Sequence, residues 1–195
     1  MAPKYVLHEY FSLCDGGICS DLLNEQEKRY VSEGGMILSG LAQRADVKNG
    51  NGRIYPYKTL FREVENYKKL VQERRSIGEL DHPDQATVNL EKVSHLIIDI
   101  WWQNKDVYVK LKILTGTPGQ QLRSLVNDGV AIGLSSRGLG SLRETNEGLI
   151  VEDDLNLICF DVVSEPSVSG AFMKLNETQT LPNLTKSDKI DRLIN

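Results

Sequence analysis

Residues 92–114 most constrain the fold. "KVSHLIIDIWW" and "DVYVKLKIL" are two apolar-rich runs joined only by "QNK". In the second run Val107, Val109 and Leu111 alternate with Tyr108, Lys110 and Lys112. A period of two puts the apolar set on one face, so a strand buried on one side only is expected. So short a connection joins antiparallel neighbours and not parallel ones. The chain is therefore expected to be built around an antiparallel sheet that needs other layers on its apolar face.

Other segments supply those layers. "KYVLHEYFSL" reads as a first strand, 24–33 as a short helix, and "GGMILSGLAQRADV" as a strand entered from glycines. "KNGNGR" is a turn, since Asn-Gly steps tolerate positive φ. Pro56 suits a first helical turn, and Leu60, Val64, Tyr67 and Val71 follow at helical spacing to a predicted end near Arg75. "SIGELDHP" reads as a short strand running into a loop at Pro83. Thr117-Pro118 reads as a cap and first turn for a helix to about Asn127. "AIGLSSRGLGSL" (131–142) reads as a strand ending at its two serines, with Arg137-Gly138 as a turn. "TNEG" turns the chain, and "LNLICFDVV" is another strand. Strands and helices do not alternate as βαβ units, which points to α+β: a mostly antiparallel β-barrel or sheet surrounded by helices. At 195 residues a single domain over 1–172 is expected, followed by a flexible polar tail over 173–195.

Composition narrows the function. A formal net charge of −4 argues against a nucleic-acid binder, which shows a basic stripe. No apolar run approaches the roughly 20 residues of a membrane span, and "MAPKYVLHEYF" has no signal-peptide core. A soluble intracellular protein is expected. Cys14, Cys19 and Cys159 read as free thiols. Cys14 and Cys19 flank "DGGI" with no second pair and no histidine at finger spacing, so no metal site is expected.

Three side chains carry chemistry. His82 stands where a strand gives way to a proline-held loop, where catalytic groups tend to be placed. Ser135 shares its face with Ala131 and Gly133, leaving room beside the hydroxyl for a carbonyl and an imidazole, whereas Ser136 points the other way with Ile132 and Leu134. Alternation groups Leu155, Leu157, Cys159, Asp161 and Val163 on one face, apolar except for Asp161. A buried carboxylate must be satisfied. Asp161 is expected to hold a histidine in its tautomer, to pair with an arginine such as Arg137, or to accept from backbone. His95, inside a strand, reads as structural, and His8 as exposed near a terminus. Gly138 beside Arg137 allows backbone amides to turn toward an oxyanion.

"NGRIYP", "GELDHP", "SSRGLGSL", "TNEG" and "DVVSEPS" occur in order over about residues 35–171. Together they resemble the prohead core proteases of large contractile-tailed phages, a family similar in fold to the herpesvirus assembly protease. The resemblance implies a serine endopeptidase needing no cofactor or metal. It would act inside the phage prohead, in the host bacterial cytoplasm, on scaffold and capsid proteins, without nucleic-acid or membrane partners. By motif His82 is the general base and Ser135 the nucleophile. The herpesvirus enzymes use a second, later histidine, and no histidine follows Ser135 here. The third role passes to an acid, Asp161 first and Asp153 second, and Arg137-Gly138 is assigned the oxyanion. The family's preference for Leu/Ile-X-Glu makes Glu25 and Glu177, each ending an "LNE", expected self-cleavage sites, with 1–25 a removable segment. Monomer or homo-oligomer stays open. The alternative is a catalytically inactive scaffold or capsid-assembly domain of the same fold.

Overall fold

The computed structural model describes residues 23–83 and 85–164 in full, together with the backbone of two strands at 5–11 and 174–175. In chain order the elements are β1 (Tyr5–Phe11), α1 (Glu25–Ser32), β2 (Ile37–Arg44), β3 (Arg53–Ile54), α2 (Tyr57–Gln72), β4 (Ile77–Glu79) and β5 (Val93–Gln103). There follow β6 (Asp106–Ile113), α3 (Thr117–Asn127), β7 (Gly133–Gly140), β8 (Leu142–Thr145), β9 (Gly148–Val151), β10 (Asn156–Val163) and β11 (Lys174–Leu175).

The hairpin of 92–114 is the centre of a five-stranded sheet ordered β11-β2-β6-β5-β4. Val107, Val109 and Leu111 are fully buried, as the alternation predicts. The opposite face of β6 departs from the prediction at Lys110, which is 6% exposed. There α1 lies over the sheet and Glu27 takes the ammonium at 2.9 Å through both carboxylate oxygens. The same Glu27 closes a capping box with Asn24 at the start of α1. A cation can be buried at that point because a helix supplies its counter-ion.

A three-stranded sheet ordered β1-β7-β10 and a small one ordered β3-β9-β8 complete the architecture. All ladders are antiparallel except β3–β9. Among the described residues each sheet is open-ended, so the fold is α+β with mostly antiparallel sheets and no closed barrel. α2 buries Leu60, Val64 and Tyr67, whose ring meets Phe160 of β10 edge-on at 5.2 Å. Each such side chain removed from water contributes about 1.5–3 kcal/mol. Helix starts differ slightly from expectation: Pro56 and Gly116 occupy the N-cap positions of α2 and α3.

Three expectations near the site are corrected. The serines do not end a strand: β7 continues to Gly140, paired by β1 on one side and β10 on the other. Arg137-Gly138 is therefore mid-strand and not a turn, and Gly138 lies close to the Asn156 carbonyl and the Leu155 side chain, which leaves little room for a Cβ. A β-bulge between Leu157 and Cys159 breaks the alternation, because Leu157 faces Gly138 and Cys159 faces Arg137. Leu157 thus leaves the face that Cys159 and Asp161 share. Past residue 173, the Lys174 and Leu175 backbone pairs with Ser39 and Leu38 of β2. The rest of the expected tail, Glu177 included, lies outside the described residues, as do Cys14, Cys19 and the His8 side chain.

What matters for function is the seam between the two larger sheets. Leu80, just past β4, makes a parallel bridge to Val162 of β10, and the Asp81 N–H donates to the Val162 carbonyl at 2.8 Å. The segment that follows β4 is thereby pinned beside Asp161.

Candidate active site

Ser135 and Asp161 are Cα partners across the β7–β10 ladder. Directly opposed residues of an antiparallel pair point to the same face, with Cα atoms about 4.5–5.5 Å apart. Both side chains are fully buried. His82 enters from the loop after β4 and bridges them: Nε2 lies 2.8 Å from the Ser135 hydroxyl and Nδ1 lies 2.9 Å from Asp161 Oδ2. A carboxylate can only accept, so the proton sits on Nδ1 and Nε2 is left to accept from the serine O–H.

The loop is shaped for this. Asp81 has φ +71°, in the left-handed region that Asp tolerates better than most residues. Its carboxylate accepts the His82 N–H at 2.8 Å. This sharp corner before Pro83 swings the imidazole back over the sheet edge. Gly78 is required upstream, because any Cβ there would collide with the Phe160 carbonyl and the His95 ring.

Asp161 is held by several donors. Oδ1 accepts from the Glu79 N–H at 2.9 Å and from Arg137 Nη2 at 3.1 Å, while Arg137 Nε reaches Oδ2 at 2.9 Å. Burial pushes its pKa up, but the His82 hydrogen bond, the Arg137 charge and the Glu79 N–H together outweigh it and leave the carboxyl below its ordinary value. Two of the satisfying arrangements read from the sequence, histidine and arginine, thus occur together, with the backbone donor as a third. Cys159, on the same face, contacts Arg137 and Asp161, and burial raises its thiol pKa well above normal, keeping it protonated.

The remaining candidates fall elsewhere. Ser136 accepts from Gln43 Nε2 at 2.9 Å on the opposite face of β7. Asp153 is exposed in the turn between β9 and β10, while Asp161 is the acid bonded to His82. His95 is fully buried between Ser94 Oγ and the Phe160 carbonyl, and burial lowers its pKa to about 4, only partly offset by the Asp161 charge. It is a neutral core histidine. The Arg137 side chain is turned to Asp161, and the Gly138 backbone belongs to a paired strand. Neither forms the expected oxyanion turn. Nothing in the local pattern marks Glu79 as part of the site. Its position in "GELDHP", one strand away from a buried arginine, was the available signal, but only the tertiary fold shows the two together. The bond after Glu25 lies in the first turn of α1, behind a buried Leu23.

A family model described as prohead core protein serine protease matches residues 14–181. The prohead core protein protease of Enterobacteria phage T4 is 36% identical over 162 residues, spanning 79% of this chain and 76% of that protein. Among solved structures, the capsid assembly protease of bacteriophage T4 superposes with a TM-score of 0.69 at 31% identity, over 82% of this chain and 98% of that one. The mixed α+β architecture is therefore shared with a solved relative.

Proposed function

The chain belongs to the prohead core protein serine protease family, and on that premise we propose that Ser135, His82 and Asp161 are its catalytic triad. The observation that carries this is the unbroken hydrogen-bond chain from the Ser135 hydroxyl through both nitrogens of His82 to Asp161. Ser135 Oγ attacks the scissile carbonyl while its proton passes to His82 Nε2. Asp161 stabilises the imidazolium through Nδ1–H and stays ionised. The imidazolium then protonates the leaving amine. Water, deprotonated by the same ring, resolves the acyl-enzyme and regenerates the serine.

The substrates we assign are scaffold and capsid proteins within the immature phage head, in the infected bacterial cytoplasm. The names of the T4 relatives, a prohead core protein protease and a capsid assembly protease, support that assignment. Cleavage after glutamate in Leu/Ile-X-Glu sequences, and self-processing after Glu25 and Glu177, complete the reading. Since Glu25 opens α1, its bond enters an active site only after that turn unwinds, because proteases of this mechanism act on extended chain.

The deciding experiment incubates a scaffold protein bearing Leu-X-Glu sites with the wild type, Ser135→Ala and Ser136→Ala. Cleavage is expected with the wild type and the Ser136 variant. Loss in the Ser136 variant alone would reassign the nucleophile.

A further inference from the structure

The guanidinium of Arg137 is fully buried, and all three of its nitrogens are engaged. Nε meets Asp161 Oδ2 at 2.9 Å and Cys159 Sγ at 3.2 Å. Nη2 meets Glu79 Oε1 at 2.9 Å and Asp161 Oδ1 at 3.1 Å. Nη1 reaches the carbonyls of Gln85 at 2.8 Å and Thr87 at 3.4 Å. Glu79 Oε1 also accepts from the Asn89 N–H at 2.8 Å. The contacts at 85, 87 and 89 all lie in the loop that carries His82.

A buried ion pair is a poor way to stabilise a fold, since apolar residues of similar volume serve as well or better. A planar fork with five donors does something else: it fixes several acceptors in one geometry. Here the acceptors are the acid and the loop of the base. We propose that Arg137, with Glu79 as its counter-ion, is a positioning residue that holds the Asp161 carboxylate against His82 and clamps the 85–89 loop to the sheet. The inference rests on the triad reading. Asp161 has two rigid bonds from one guanidinium, so its Oδ2 lone pair stays aimed at Nδ1. The loop is anchored through the same group, so acid and base move together or not at all.

Lysine keeps the charge but cannot hold both carboxylates and two carbonyls at once.

The test measures kcat and KM separately on a fluorogenic Leu-X-Glu peptide for the wild type, Arg137→Lys, Arg137→Met, Glu79→Gln and Ser135→Ala, with Tm for each. Arg137→Lys is expected to lower kcat about 100-fold with KM little changed. Arg137→Met and Glu79→Gln are expected to lower kcat in the same way, with KM again little changed. Should Arg137→Met fail to fold, the Lys and Glu79 variants decide. A folded Lys variant with wild-type kcat, or folded variants whose loss falls on KM and Tm with kcat unchanged, overturns the inference alone. Activity persisting in Ser135→Ala overturns the triad reading and this inference with it.

Discussion

Ser135 and Asp161 face each other across one ladder, and the His82 ring spans from one to the other without belonging to either strand. Two members of the constellation therefore sit on paired strands, where register alone fixes their separation. The third sits on a loop and needs its own restraints: the Asp81 corner, the Leu80–Val162 bridge and the Arg137 contacts beyond it. Catalytic groups must be held within a fraction of an ångström of productive geometry. The strands meet that requirement for two of them, so disturbances should act mainly through His82.

The two adjacent serines should separate cleanly. Ser135→Ala removes the proposed nucleophile, and kcat/KM on a Leu-X-Glu peptide is expected to fall about 10⁴-fold or more, leaving a normal Tm. Ser136→Ala removes the acceptor of Gln43 Nε2 inside the core, at a cost of about 1–3 kcal/mol in stability. Activity per folded molecule should survive. Thermal melts with kinetics on both variants check the split.

Asp161→Asn preserves shape and removes the charge. The amide can present its N–H to Nδ1, which puts the imidazole proton on Nε2, facing the serine. The expected loss in kcat is about 10⁴-fold. Nuclear magnetic resonance of the imidazole nitrogens would show the tautomer change directly.

Acid lability should centre on His95. Its folded pKa is about 4 against an unfolded 6.5, so the unfolded chain takes the proton at the higher pH. The stability this neutral histidine contributes is fully present above pH 6.5 and is lost as the pH falls toward 4. The full effect is about 3 kcal/mol. Asp161 acts in the same direction further down, below its ordinary 3.8. His95→Gln should flatten the slope between pH 6.5 and 4 in urea melts, while the slope below 4 remains.

Much of the site can be read from the residues, for physical reasons that also mark where reading stops. Alternation is local, so it placed Ser135 and Ser136 on opposite faces and Asp161 on a buried one. The extent of β7 is not local: its partners are β1 and β10, one of them more than a hundred residues upstream. Hydroxyls and a glycine therefore read locally as a strand end. The bulge at Leu157–Cys159 leaves no mark in composition. Lys110 looked like one more solvated charge because its counter-ion, Glu27, belongs to a helix 83 residues earlier. Arg137 is legible as a partner for the buried Asp161, but Glu79 declares itself only where the tertiary fold sets it against that arginine.

Glu27 would link stability to the proposed self-processing after Glu25. It caps α1 and is the buried counter-ion of Lys110. Glu27→Gln should cost up to about 3 kcal/mol, because the buried lysine loses its closer carboxylate and keeps only Asp99 at 3.5 Å. The double variant with Lys110→Met should recover most of that loss. The two variants also differ in exposure of the bond after Glu25. With the cap weakened and Lys110 left with Asp99 at 3.5 Å as its carboxylate, the first turn of α1 frays and Leu23 leaves its pocket. The Leu-Asn-Glu segment then becomes an extended chain. With Ser135→Ala added, so that the chain is substrate only, wild-type enzyme supplied in trans should cut Glu27→Gln after Glu25 faster than the unaltered α1. The Lys110→Met double variant should be cut at an intermediate rate. Mass spectrometry of the time course measures the order. Equal rates across all three would mean that opening of α1 does not limit this cleavage.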